Sequence, residues 1–272
     1  MRLSIILLSL VFFAQCSAGP EPAKAKATSI PEPAVRPGAY HTQNYVPHLR
    51  GKRVGVVANH TSLIEDVHIV DSLLSVGIQV TAIFAPEHGF RGTADAGSKV
   101  KDGRDGKTNL PVYSLYGNNR KPSVHQLQEV DLVLFDIQDV GVRFYTYIST
   151  MSLVMEACAE QGIPMVVLDR PNPHAHYVDG PVLKSEYQSF VGMHPVPVVY
   201  GMTMGEYATM VNAQFLPRGL KADLQVVKCL HYDRNVPYSL PVKPSPNLPN
   251  DTAIYFYPSL CFLEGTVISV GR

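Results

Sequence analysis

Uninterrupted apolar runs, separated by polar segments with helical spacing, set the rhythm of this chain from Lys52 onward. Residues 53–58 (RVGVVA), 80–85 (VTAIFA), 131–137 (DLVLFDI) and 164–168 (PMVVL) are short, β-rich and continuously apolar. That is the pattern of strands covered on both faces, since a half-exposed strand would alternate. Asn59-His60-Thr61-Ser62 supplies capping residue types ahead of a helix expected over 63–76, and a second helix is expected over 147–161, closed by Gly162. The strand–helix–strand alternation predicts an α/β fold on a doubly wound parallel sheet. After Pro171 proline becomes frequent and the texture less regular, with a helix expected over 203–215 and a strand over 223–229. The reading is a main domain over 38–180 and a second, smaller α/β domain over 181–272. The final TVISVGR stops within a strand or loop, so the second domain reads as truncated.

With 272 residues, 46% of them hydrophobic, the chain can bury a substantial core. Lys plus Arg and Asp plus Glu both number 23, so the basic excess that would neutralise nucleic-acid phosphates is missing. Met1-Arg2 followed by the apolar residues 3–14 predicts an export signal over 1–18, too short to span a bilayer. Two endings fit: a small-residue cleavage site at Cys16-Ser17-Ala18, or a loose lipoprotein box with Cys16 as the lipidation site. Residues 19–37, rich in Pro, Ala, Lys and Glu, read as a flexible linker. The expected location is therefore outside the cytoplasm, periplasmic or membrane-anchored as a lipoprotein. Cys158, Cys229 and Cys261 are odd in number and widely spaced, giving neither a disulfide framework nor a metal set.

In an open parallel sheet, ligands bind beyond the carboxyl ends of the strands. All four expected strands carry polar groups there: Asn59 and His60; Glu87 and His88; Asp136, Gln138 and Asp139; Asp169, Arg170 and Asn172. No glycine-rich phosphate loop and no G-x-S-x-G elbow follows any of them. His60 and His88 with nearby acids suggest a metal only weakly, because Glu87 and His88 are adjacent and point apart on an extended chain. Carboxylates remain. Glu87 follows the apolar Ile83-Phe84-Ala85-Pro86, where partial burial suits a general acid; the competing reading pairs it with Arg91 or Arg143 at a turn. Asp136 and Asp139 serve equally well as catalytic groups or as salt-bridge partners of Arg143. If Glu87 and Asp136 stand on strands separated by one other, their backbones lie about 10 Å apart.

At these residues the sequence resembles the exo-β-N-acetylmuramidase family, a group of glycoside hydrolases. The matching blocks are PEHGFRG from Pro86, FDIQDVGVRFYTY from Phe135, LDRPNP from Leu168, YGMTMGE from Tyr200, PSPNLP from Pro244, and LEGT from Leu263 with SVGR to the end. The resemblance implies a Rossmann-like catalytic domain, a second α/β domain and a shallow cleft between them. It implies release of N-acetylmuramic acid from the non-reducing ends of peptidoglycan fragments; the reading of the residues adds no cofactor and no metal. It makes Glu87 the catalytic glutamate and Asp136 or Glu264 the second carboxylate. His88, Arg91, Asp139, Arg143, Tyr145, Asn172 and Asn247 become substrate-binding residues. Arg143 is the expected clamp for the lactyl carboxylate of muramic acid, since guanidinium matches carboxylate in a bidentate fork. The competing functions are a non-catalytic muropeptide-binding surface protein and a metal-dependent hydrolase. The absence of Trp weakens a sugar-stacking role, but 14 Tyr are available in its place.

Overall fold

The computed structural model describes residues 34–91 and 102–267. The expected signal, Cys16, most of the linker and the final SVGR block lie outside the described residues. Helix α1 (Thr42–Leu49) precedes β1 (Arg53–Ala58); a hairpin of β2 (Leu63–Ile64) and β3 (Val67–His68) leads into α2 (Ile69–Ser75) and β4 (Gln79–Ala85). Next come β5 (Gly103–Arg104), β6 (Pro111–Ser114), α3 (Val124–Leu127), β7 (Leu132–Asp136), α4 (Tyr147–Gln161) and β8 (Met165–Leu168). The described chain closes with α5 (Met204–Gln214), β9 (Leu224–Val227) and α6 (Asp251–Leu260).

Seven strands form one sheet in the order β5-β6-β4-β1-β7-β8-β9, parallel throughout except for the β5–β6 edge pair. The chain winds outward from β1 through β4 to β6, then returns to the other side of β1 for β7. The winding direction thus reverses at β1, the topological switch where such sheets open a crevice. Strand parity feeds two cores. Val54, Val56, Leu132, Leu134, Val166 and Leu168 face α1 and α2, against Tyr45, Leu49, Ile69 and Leu73. Val57, Val133, Phe135, Met165 and Val167 face α4 and α5, against Met151, Val154, Met155, Tyr207 and Val211. Both faces are covered, which is why these strands read as continuous apolar runs. In β4 the parity breaks: Val54 pairs with Val80 but Gly55 with Ala82, so Thr81 is an extra, bulged residue. Ile83 and Ala85 consequently share the α1/α2 face with Val80, while Ala82 and Phe84 face α4.

Helix α4 matches the sequence expectation and ends on Gly162 in the left-handed region at φ 65°. Two expectations are corrected. Residues 63–76 are not one helix. Leu63 pairs with His68 and Ile64 with Val67 across a two-residue turn, where Glu65 takes φ 53° and its N–H donates to the Tyr40 hydroxyl. The helix begins only after His68, whose side chain accepts from the Val70 N–H. The boundary expected at 181 also fails, because the described residues from Ala34 onward form one compact unit. Strand β9, from beyond that boundary, pairs in parallel with β8 in the same sheet, and α5 packs on α4 and β8. Gly205 permits this closure: a Cβ there would stand 2.5 Å from Val226 and 2.9 Å from the Asp169 carboxyl carbon.

Candidate active site

Glu87 sits where β4 gives way to a tight turn closed by the Gly89 N–H donating to the Pro86 carbonyl at 3.1 Å. His88 occupies the left-handed region at φ 70°, where Gly or Asn is the ordinary occupant. Such strain persists only where the surroundings fix it, and it gathers at functional sites. The turn leaves Glu87 half-buried and His88 buried, both on the wall of a cleft of about 370 Å³. That volume suits a small-molecule site.

Three further segments complete the cleft. The end of β6 is tied to the end of β4 by the Leu115 N–H donating to the Ala85 carbonyl at 2.8 Å, which sets Tyr116 beside Glu87. Burial first, then the charge of the nearby Glu87 carboxylate, raise the Tyr116 phenol above its ordinary pKa. The loop from β7 into α4 supplies Phe144, Tyr145, Thr146 and Tyr147. Tyr145 is anchored by its hydroxyl donating to the Pro244 carbonyl at 2.6 Å and packs edge-on against Tyr147, ring centroids 4.8 Å apart. From the C-terminal part come Ser245, Asn247, Leu248, Tyr257 and Glu264, and Phe190, Val191 and Arg120 form the rim. Four tyrosines and two phenylalanines thus wall a site holding two carboxylates, Glu87 and Glu264. The aromatic surface of the cleft is supplied by Tyr and Phe.

The ends of β1 and β4 and the start of α4 bring polar atoms here that have no partner within the protein. Asn59 Nδ2, His60 Nδ1, His88 Nδ1 and Tyr147 Oη are all buried without a hydrogen-bond partner. His60 is held by a 2.8 Å contact from Nε2 to the Lys243 carbonyl, which carries the loop before Ser245 onto the end of β1. Among the described residues no group of three or more His, Cys, Asp or Glu side chains is arranged to hold a metal ion.

Of the residues singled out in the sequence, Glu87, His88, Tyr145, Asn247 and Glu264 come together at the cleft. The others do not line it. Asp136 shares strand parity with Leu132 and Leu134, so it points to the α1/α2 face, away from the aromatic wall. There it is fully buried and gripped by Arg170, at 2.6 Å from Nε and 2.8 Å from Nη2. Arg143 is corrected as the carboxylate clamp. Its Nη1 donates to the carbonyls of Pro181 and Val196 at 2.9 and 2.6 Å, and the buried side chain stands behind Phe144, its guanidinium carbon 5.4 Å from that ring's centroid, rather than lining the cleft. Asn172 braces a loop, donating to the Met202 carbonyl and accepting from the His174 N–H. Arg91 bridges Asp71 and Asp105. Tyr116, Arg120, Phe190 and Tyr257 are cleft residues that the sequence reading missed. For Tyr116 the signal was the short apolar run PVYS before it, too brief to stand out as a strand.

Asp139 lies beneath the cleft floor rather than in it. Its Oδ1 accepts from the Tyr200 hydroxyl at 2.5 Å and the Gly141 N–H at 2.7 Å, while Oδ2 is buried and unpartnered. Burial pushes this carboxyl up to about 7, against which the two hydrogen bonds act only in part. The folded protein therefore holds a proton that the unfolded chain releases, and stability falls as pH rises between roughly 4 and 7, by about 1.4 kcal/mol per pH unit at most. Asp139→Asn keeps the acceptor and removes the titration. Denaturant unfolding at pH 5 and pH 7.5 should show a smaller loss for the variant than for wild type, and equal losses would place the titrating group elsewhere.

Comparison with known proteins agrees with this geometry. The family described as exo-β-N-acetylmuramidase NamZ, N-terminal, matches residues 54–252. The peptidoglycan β-N-acetylmuramidase NamZ of Bacillus subtilis (strain 168) is 44% identical over 276 residues, a match covering 98% of this chain and 66% of that protein. Two crystal structures of DUF1343-family proteins from Bacteroides fragilis NCTC 9343 superpose with TM-scores of 0.81 and 0.77, at 46% and 35% identity. They are matched over 88% and 85% of this chain, and over 64% and 60% of their own. The chain thus spans just under two thirds of the length of these relatives. On the family match and the identity together, it belongs to the exo-β-N-acetylmuramidase NamZ family.

Proposed function

We propose that this chain is a glycoside hydrolase that releases N-acetylmuramic acid from the non-reducing ends of peptidoglycan fragments. The observation that carries this reading is the half-buried Glu87 carboxylate, set on a strained turn beside Tyr116, in an aromatic-walled cleft. Glycoside cleavage needs an acid to protonate the departing oxygen and a second carboxylate across the anomeric carbon. Glu87 takes the acid role. Glu264 is the remaining acid lining the cleft, because Asp136 is consumed by Arg170. The tyrosine rings offer flat faces to the sugar's C–H surface, and Ser245 and Asn247 offer polar partners beside them. The relative from Bacillus subtilis, a peptidoglycan β-N-acetylmuramidase by name, supports the substrate class. Export by the N-terminal residues 1–18, with Cys16 as an acylation site, belongs to the same proposal and rests on the sequence alone.

The test compares aryl β-N-acetylmuraminide with aryl β-N-acetylglucosaminide, followed by product analysis on purified glycan chains. The expected result is aryl release from the muraminide and single N-acetylmuramic acid units from the chains. Saturable binding of muropeptides without turnover of any of these substrates would make the protein a binder instead.

A further inference from the structure

The cleft contains two carboxylates, Glu87 and Glu264, yet the sugar proposed for it carries a third on its lactyl ether. An anionic ligand entering such a site meets repulsion unless a cation stands nearby. Arg143 is buried, with its Nη1 on two backbone carbonyls, and does not line the cleft. Among the described lining residues Arg120 is the one Lys or Arg.

Arg120 is presented rather than merely exposed. Its guanidinium carbon lies 4.3 Å from the centroid of the Phe190 ring, which fixes the plane of the group. Its Nε donates to the Gly117 carbonyl at 3.1 Å, which fixes its rotation. No acid of the described chain pairs with it, unlike Arg53, Arg91, Arg170, Arg218 and Arg234, each of which meets a carboxylate. The two terminal nitrogens are thus held in a set plane with no protein acceptor, the geometry in which guanidinium takes a carboxylate end-on. Tyr116 feels the charges of both Arg120 and Glu87, and all three line the same cleft, so the cation and the proposed acid flank one tyrosine.

We infer that Arg120, stacked on Phe190, is the residue that selects a sugar bearing a free carboxylate, by pairing with the lactyl group of the muramic acid unit. The inference rests on the proposed activity, and the experiment separates the two. Aryl N-acetylmuraminide is compared with its neutral lactyl carboxamide, using wild type, Arg120→Gln and Arg120→Lys. A charged hydrogen-bonded pair of this kind corresponds to a loss of roughly 10- to 100-fold. Arg120→Gln should lose that factor in kcat/KM on the acid, mainly through KM, and little on the carboxamide. Arg120→Lys should recover part of it.

Binding gives a second readout without turnover. N-acetylmuramic acid should bind Glu87→Gln protein more tightly than it binds the Glu87→Gln, Arg120→Gln double variant, whereas N-acetylglucosamine should not discriminate between them. Equal losses on acid and carboxamide, or an unchanged preference, would overturn the role of Arg120 while leaving the hydrolase intact. Failure of wild type to cleave either muraminide would remove the activity and the inference together.

Discussion

Glu87→Gln is expected to reduce hydrolysis of peptidoglycan-derived glycans by about 10²–10⁴-fold, the usual scale of general acid catalysis, while the melting temperature stays within error of wild type. The substitution is nearly isosteric. The turn is closed by the Gly89 N–H on the Pro86 carbonyl, a backbone contact that the substitution leaves in place. What is lost is the proton. The size of the loss should follow the leaving group: a sugar alkoxide departs only when protonated, whereas a nitrophenolate leaves with little help. The variant should therefore be impaired far more on glycan chains than on an activated aryl muraminide. Glu264→Gln provides the contrast, because a nucleophile or base is needed whichever group departs. It should suffer on both substrates alike. Equal rates for wild type and Glu87→Gln on glycan chains would remove Glu87 from the reaction.

Much of this site is legible in the chain itself. Continuous apolar runs mark a strand flanked on both sides by neighbours and covered on both faces, and β1, β4, β7 and β8 are such strands. Because β4 and β7 flank β1, the spacing of about 10 Å inferred for the backbones of Glu87 and Asp136 describes their strands correctly. The same property conceals the orientation of Asp136. When Leu132, Val133, Leu134 and Phe135 are all apolar, nothing along the run distinguishes the face that opens on a cleft from the face that packs on α2. Residues 63–76 mislead in a related way, since the apolar spacing of Leu63, Val67 and Val70 is compatible with a helix. Only the Glu65-Asp66 turn, stabilised from afar by Tyr40, breaks it. Arg143 shows a third limit. A carboxylate clamp is reasonable chemistry for it, but Pro181 and Val196 reach it from 38 and 53 residues away, and such contacts leave no trace in local spacing.

Replacing Arg170 with Met should destabilise the fold by about 3–5 kcal/mol, as expected when one member of a buried ion pair is removed and the other charge is left without a partner. Asp136 has no exposure and Arg170 almost none, so water cannot compensate the orphaned carboxylate. Arg170 also donates from Nη2 to the Leu63 carbonyl at 3.1 Å, so it links the end of β8 to β2, the hairpin strand that follows β1, across the end of β7. That link spans the switch point, and its loss loosens the strand ends on which the cleft is mounted. The double variant Asp136→Leu, Arg170→Met removes both charges and should recover a large part of the loss, because the desolvation cost disappears along with the attraction. Denaturant unfolding of the two single variants and the double closes the cycle. A double variant as unstable as the sum of the singles would mean that the two side chains act separately. An Asp136→Asn variant with full stability and no turnover would return Asp136 to the chemistry, but the geometry of the pair predicts the reverse: stability falls first, and activity is lost only as the cleft comes apart.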